Sequence, residues 1–231
     1  MAAKTISGTQ LDKALALGFY RMQQELFTTP FIISEDGNIT EVFWLRTILN
    51  ECTPPSQHPV YKKNKHFSVT FSKAKITAEI EDLFRIYRRN VKFDAPESVQ
   101  SYLCGDLERK NEAFDSYTIE IRDGKQLIAI GYFDKGKKSI TGIMNFYHPE
   151  YKKYSLGKFL MLLKMEYAIS QEMDYYYTGY IAIDNSRFDY KVFPDTDIIE
   201  VYLPSKDKWI PYPKTGKEGL NEFTFLRNLE L

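Results

Sequence analysis

The chain has 231 residues and a formal net charge of zero, with 31 Lys and Arg against 31 Asp and Glu. At roughly 150 residues per domain it makes one to two domains, long enough to bury a core without a disulfide or metal staple. Its 43% hydrophobic and 27% charged content is that of a soluble globular protein and excludes disorder, collagen and coiled coil. No apolar run approaches the roughly 18 residues of a membrane span, since the longest, residues 159–163, stops at Lys164. The first ten residues lack the charged and apolar regions of a secretory signal, so the expectation is a cytoplasmic protein with no membrane partner. Cys52 and Cys104 have no CxxC partner and no clustered His, so no metal site is expected. Zero net charge with 17 Tyr and 16 Phe favours core and recognition surfaces over a large polyanion footprint, and no DNA partner is expected.

In chain order, residues 10–17 read as an amphipathic helix capped at Thr9 and stopped by Gly18. Two β-rich runs follow, 19–34 and 39–49, joined by Glu35-Asp36-Gly37-Asn38 as a hairpin. Thr53-Pro54-Pro55-Ser56 and Pro59 mark a boundary, giving an N-terminal helix and hairpin over 1–59 docked on a main domain over 60–231. The stretch 60–76 carries the basic Tyr61-Lys62-Lys63-Asn64-Lys65 and ends in a strand. Thr77 caps a helix over 78–89, and Asp94 and Pro96 open a second that ends at Gly105. Strands over 117–122, 126–133 and 139–147 form a meander with turns at Asp123-Gly124 and Lys135-Gly136. A helix over 156–172, apolar around most of its circumference, leads to a tyrosine-rich strand at 174–183 and late strands at 198–203 and 208–212. A meander leading through a crossover helix into a parallel strand is the element order of the GNAT acyltransferase fold. The predicted class is α+β, a mixed sheet with helices on both faces, preceded by the N-terminal helix and hairpin.

No GxGxxG and no GxSxG occurs. Gly131 to Lys138 approaches a phosphate-binding GxxxxGK, but Gly136 falls in a hairpin turn and no Ser or Thr follows Lys137. His58, His66 and His148 are scattered, without a nucleophile or metal partner beside them. The segment Tyr151-Lys152-Lys153-Tyr154-Ser155-Leu156-Gly157-Lys158 opens the crossover helix. Its free N–H groups, the helix dipole and three lysines would suit an anion, with Ser155 as cap and Gly157 admitting a ligand to the backbone. An ordinary capped helix with solvated lysines stands beside that reading. Alternation puts Tyr176 and Tyr180 on one face of the tyrosine strand and Tyr175 and Tyr177 on the other. Gly179 in its interior signals a bulge or the close approach of a ligand, and Arg187 to Lys191 alone would be a surface loop.

The run from Phe146 to Gly157 resembles the "FYDPxYxKxSLG" segment of the arginyl- and leucyl-tRNA–protein transferases. Tyr175 through Lys191 is similar, without a gap, to that family's "YYYLGYYIxxCxKMxYK", agreeing at Tyr175, Tyr176, Tyr177, Gly179, Tyr180, Tyr190 and Lys191, with Arg187 for a lysine. Trp209-Ile210-Pro211 and residues 15–21 resemble the family's closing "WVP" and early "LLxxGFRR". The resemblance implies transfer of an amino acid (Arg or Leu) from charged tRNA to the N-terminal amine of an acceptor protein, usually one beginning with an acidic residue. It implies no cofactor beyond that donor. It also implies substrate contacts by Tyr147, Ser155, Leu156, Gly157, Tyr177, Gly179, Arg187, Tyr190 and Lys191, and the catalytic candidates are Asp184, as proton acceptor, with Tyr180 beside it. Departures stand beside the matches. Residues 27–49 lack the family's cysteine cluster, Asn185 and Phe188 replace its cysteine and methionine, and Lys164 falls where the family has a glutamate. A CoA-dependent N-acyltransferase using acetyl-CoA, and a binding module that kept the fold without catalysis, remain the alternatives.

Overall fold

The computed structural model describes residues 5–33, 37–93, 95–105 and 113–225. Glu35 and Asp36 of the expected hairpin turn, and the expected helix opener Asp94, lie outside them. Helix α1 (Gly8–Ala16) starts two residues earlier than a cap at Thr9 suggested. Ser7 caps it, because Gln10 three residues on completes a capping box by accepting from the Ser7 N–H. The first β-rich run breaks into β1 (Tyr20–Met22), β2 (Glu25–Phe27) and β3 (Phe31–Ile33), with Gln23 at φ 55° in the turn between the first two. The second run is one long strand, β4 (Ile39–Ile48), which pairs with β3.

The basic stretch forms helix α2 (Pro59–Asn64), followed by strand β5 (Ser68–Lys73). Helix α3 (Ala78–Arg88) is capped by Thr77, as its spacing requires. Helix α4 (Val99–Cys104) is shorter than expected, because Ser98 and Ser101 cap each other and Pro96 stays in the preceding loop. The meander is present as β6 (Ser116–Asp123), β7 (Gln126–Lys135) and β8 (Ser139–Tyr147). Crossover helix α5 (Leu156–Ser170) then leads to β9 (Tyr175–Ala182), and β10 (Ile199–Leu203) and β11 (Lys208–Pro211) close the order.

Among the described residues these strands make a nine-stranded sheet in the order β11-β10-β4-β9-β8-β7-β6-β5, with β3 on β4. Every pair is antiparallel except β8 with β9, so the sheet is mixed and the class is α+β. Helix α5 packs on one face against Ile119, Ile121, Ile128 and Phe133. Helices α3 and α4 cover Leu127, Ile130 and Phe146 on the other. The boundary drawn at residue 59 is not a boundary of the sheet. Strand β4 lies between β10 and β9, because Phe43, Trp44 and Leu45 find cover only inside it.

Candidate functional site

Strands β8 and β9 pair over three residue pairs only, Ser139 to Thr141 with Tyr175 to Tyr177. Each strand then carries a β-bulge. The register with β7 skips Ile143, and the register with β4 skips Thr178. A bulge bends its strand and raises its local twist. Two bulges at the point where a parallel ladder ends split the sheet between β8 and β9. A cavity of about 800 Å³ opens there, lined by Gly142 to Asn145 on one side and Thr178 to Tyr180 on the other.

Residues far apart in the chain complete it. Tyr20 and Trp44 stack with ring centroids 4.3 Å apart, and the Gly179 N–H donates to the Tyr20 hydroxyl at 2.8 Å. Gly179 adopts φ +106°, a conformation that glycine tolerates and other residues resist. The buried Trp44 Nε1 and Thr178 Oγ1 on the cavity wall have no hydrogen-bond partner among the described residues. Polar atoms in that state suit a bound ligand. At the floor, fully buried Lys164 donates to the Tyr132 carbonyl and to Asn145 Oδ1, both at 2.8 Å. Burial lowers its pKa to about 7, against an opposing pull from Asp134. Two N–H bonds to two acceptors match the neutral amine. A charged residue amid the apolar run of the crossover helix was the sequence signal for this buried lysine. Tyr20, Trp44 and Asn145 offered no comparable signal.

The sequence-derived candidates divide. Gly179, Tyr180, Arg187, Tyr190 and Lys191 line the cavity, the last three from the 3-10 turn Ser186–Val192. Tyr147, Ser155, Leu156, Gly157, Tyr177 and Asp184 do not. Asp184, the expected proton acceptor, is exposed beyond the end of β9 and outside the cavity lining. Leu156 is core, packed under the meander. Ser155 is not a side-chain cap, since it sits at φ 54°, ψ 46° and makes no capping bond. A Cβ at Gly157 would meet only the Tyr147 ring, at 3.8 Å. Tyr177 packs with Tyr20 and Trp44. Tyr180 packs with that same cluster, although alternation assigned it to the face of Tyr176, because the Thr178 bulge turns the strand by one residue. Burial raises the Tyr180 hydroxyl above the usual tyrosine value, so it stays protonated.

Two further sequence features acquire physical roles. In the near-miss phosphate loop the place of an anion is taken by Asp12, whose carboxylate accepts from the Lys137 and Lys138 N–H groups at 3.0 Å and from Ser139 Oγ at 2.6 Å. The basic segments 61–65 and 152–158 are brought together. Lys63 donates to the Lys153 carbonyl at 2.6 Å and Asn64 Nδ2 to that of Tyr154 at 2.8 Å. Lys62, Lys63, Lys152, Lys153 and Lys158 are all exposed. Among the described residues no group of three or more His, Cys, Asp or Glu could hold a metal ion, and no helix is long and apolar enough to cross a membrane.

Comparison with known proteins bears on this arrangement. The family model "Arginine-tRNA-protein transferase, C terminus" matches residues 79–195, from α3 past the turn that carries Arg187 and Lys191. An aspartate/glutamate leucyltransferase of Leptospira interrogans is 29% identical over 64% of this chain and 59% of its own length. One from Shewanella sp. (strain MR-4) is 33% identical over 81% of this chain and 77% of its own. Arginyl-tRNA–protein transferase 1 of Arabidopsis thaliana is 23% identical over 65% of this chain and 27% of its own. The chain thus spans about 59% of the Leptospira relative. With the model covering half the chain and the Shewanella relative most of it, this chain belongs to the family described as arginine-tRNA-protein transferase, C terminus.

Proposed function

We propose that the chain moves an aminoacyl group from charged tRNA to the N-terminal amine of an acceptor protein, at the gap between β8 and β9. The observation that carries the reading is the split itself. A parallel ladder that stops after three pairs, with a bulge on each side, leaves strand edges and unpartnered polar side chains around a cavity of about 800 Å³. An aminoacyl ester could lie along such a cleft and meet an incoming amine there.

In the reaction the amine nitrogen forms a bond to the ester carbonyl carbon. The carbonyl oxygen becomes an oxyanion, the bond to the ribose oxygen breaks, and the amine's proton ends on that oxygen. An α-amine has a reference pKa of roughly 8, so a useful fraction is neutral near pH 7 and no strong base is needed. Tyr180, kept protonated by burial, suits donation to the leaving oxygen or to the oxyanion. The exposed lysines around residues 62–63 and 152–158 suit the phosphates of an acceptor stem. Leucyl-tRNA is the first donor to test, since the bacterial relatives are named leucyltransferases, and arginyl-tRNA is the second. Their names also point to acceptors with N-terminal Asp or Glu.

The test offers radiolabelled leucyl-tRNA, arginyl-tRNA or acetyl-CoA to peptides beginning with Asp, Glu or Ala. Label from an aminoacyl-tRNA is expected on the Asp or Glu peptide. Label from acetyl-CoA alone, or from no donor, would sink the proposal.

A further inference from the structure

We infer that Lys191 and Arg187 form an oxyanion subsite inside the cavity, one that holds a carboxylate or phosphate group of a substrate beside the gap. Its role in catalysis rests on the proposed transfer reaction, but anion binding does not.

The other cations that line the cavity, Arg21 and Lys164, are committed, as is Arg46 of β4 beside it. Arg21 Nη1 pairs with buried Asp134 at 2.8 Å, and Lys164 serves two acceptors. Arg46 pairs with Glu200 at 2.7 Å. Arg187 and Lys191 have no ion pair among the described residues. The acid between them on the same turn, Asp189, bonds Lys217 instead, at 2.8 and 3.1 Å. Both cations are held by aromatic faces. The Arg187 guanidinium lies 3.6 Å from the Phe93 ring centroid, and Lys191 Nζ lies 4.4 Å from that of Tyr180 and 4.7 Å from that of Phe188. A cation on an aromatic face keeps its N–H groups free for a further partner, and a guanidinium edge matches both oxygens of a carboxylate or phosphate.

The backbone makes room for this arrangement. A Cβ at position 179 would lie 2.9 Å from Lys191 Nζ, so the glycine of the bulge lets the lysine lie across the strand. Two like charges on one wall repel, and burial together with Arg187 lowers Lys191 to a pKa of about 7. The titratable groups around them are Tyr87, Tyr102, Tyr176, Tyr180 and Tyr190, uncharged near neutral pH. The charged ones are Glu97, which lines the cavity but is exposed, and Arg21 and Lys164 across the cavity, which are held by their own partners. A substrate anion would relieve the repulsion and restore the ammonium form.

The test reads Lys191 directly, by NMR of 13Cε-labelled lysines in the whole chain, with the resonance assigned by its loss in Lys191→Arg. The probes are inorganic phosphate, the amide of the dipeptide Asp-Ala, and that of Asn-Ala as the uncharged control. A saturable shift and a raised Lys191 pKa are expected with at least one anion. Arg187→Gln, an exposed position, should keep the fold and bind that anion about tenfold more weakly, the effect of one charge-assisted bond. Phosphate alone would assign the subsite to the donor's 3′ end, Asp-Ala alone to the acceptor's first side chain, and both to an oxyanion in general. No shift with either anion, an equal shift with Asn-Ala, or unchanged affinity in Arg187→Gln overturns the inference. No tRNA enters the assay, so a failed transfer reaction would leave its outcome readable.

Discussion

Replacing Lys164 by Met isolates the buried amine at the cavity floor. The lysine is fully buried and its pKa falls from 10.5 to about 7. Below pH 7 it is protonated in both the folded and the unfolded chain, and folding bears the full cost of burying the charge. Between pH 7 and 10.5 the unfolded chain holds a proton that the folded chain has released. Stability therefore rises with pH across that window, by about 1.4 kcal/mol per pH unit. Between pH 7, where the amine of the folded chain is half protonated, and pH 9 the native chain should gain about 2.3 kcal/mol over Lys164→Met. The variant also loses the bonds to the Tyr132 carbonyl and Asn145 Oδ1, but that loss does not change with pH. Asp134 is the charged group that opposes the shift, and it stays paired with Arg21 in both proteins. Urea unfolding of both proteins at pH 6, 7, 8 and 9 measures the difference directly. A difference constant across that range would mean that Lys164 is not deprotonated in the fold, and the account of the cavity floor would be wrong.

Arg21→Met should destabilise the chain by about 3–5 kcal/mol in urea, because it leaves the Asp134 carboxylate buried without its partner. Ser7→Ala should cost about 1 kcal/mol through loss of the α1 capping box, whereas Ser155→Ala should change stability by less than about 0.5 kcal/mol, since that side chain caps nothing. On the proposed function, binding of charged tRNA should weaken steeply with salt, and Lys153→Gln should lower the slope of log affinity against log salt by about 1. A slope unchanged in that variant would remove the 152–158 segment from the tRNA contact.

Much of the fold was legible where local periodicity carried it. The 3.6-residue spacing of Ile80, Leu83 and Phe84, the tight turns of the meander and the all-round apolar crossover helix each mark their element without help from distant residues. Strand β4 was visible as a strand but not as a central one, because its place depends on pairing Val42 with Ala182, 140 positions away. The basic 61–65 segment became helical through packing on α5 and the turn before it, with Tyr61 bonding Glu166 at 2.7 Å. The site divided the same way. Family likeness marked Gly179, Arg187 and Lys191, all on the cavity wall. The face of Tyr180 could not be read from alternation, since one extra residue in the strand inverts every later side chain. Ser155 looked like a cap by residue type, yet its left-handed backbone carries the side chain away from the helix N–H groups.

The absence of cysteine from residues 27–49 and the presence of the cavity are compatible for a structural reason. Residues 27–49, where the family resemblance places a cysteine cluster, here supply β3 and β4. Strand β4 is fixed by ladders on both edges, with β9 on one side and with β3 and β10 on the other. Side chains add cross-ties. Arg46 bonds Glu200 at 2.7 Å and lies over the rings of Tyr175 and Trp209, and Trp44 stacks on Tyr20, whose hydroxyl receives the Gly179 N–H. Arg21, next in sequence, anchors that segment to Asp134 of β7, Ser116 and the Leu103 carbonyl, each at 2.8 Å. Sheet pairing and a buried ion pair thus hold the region in place without thiol chemistry. The N-terminal residues form the wall of the gap that faces the Thr178 bulge, so the cavity exists only when both parts of the chain fold together. Any change that loosens Tyr20 or Arg21 should alter the site before it unfolds the meander.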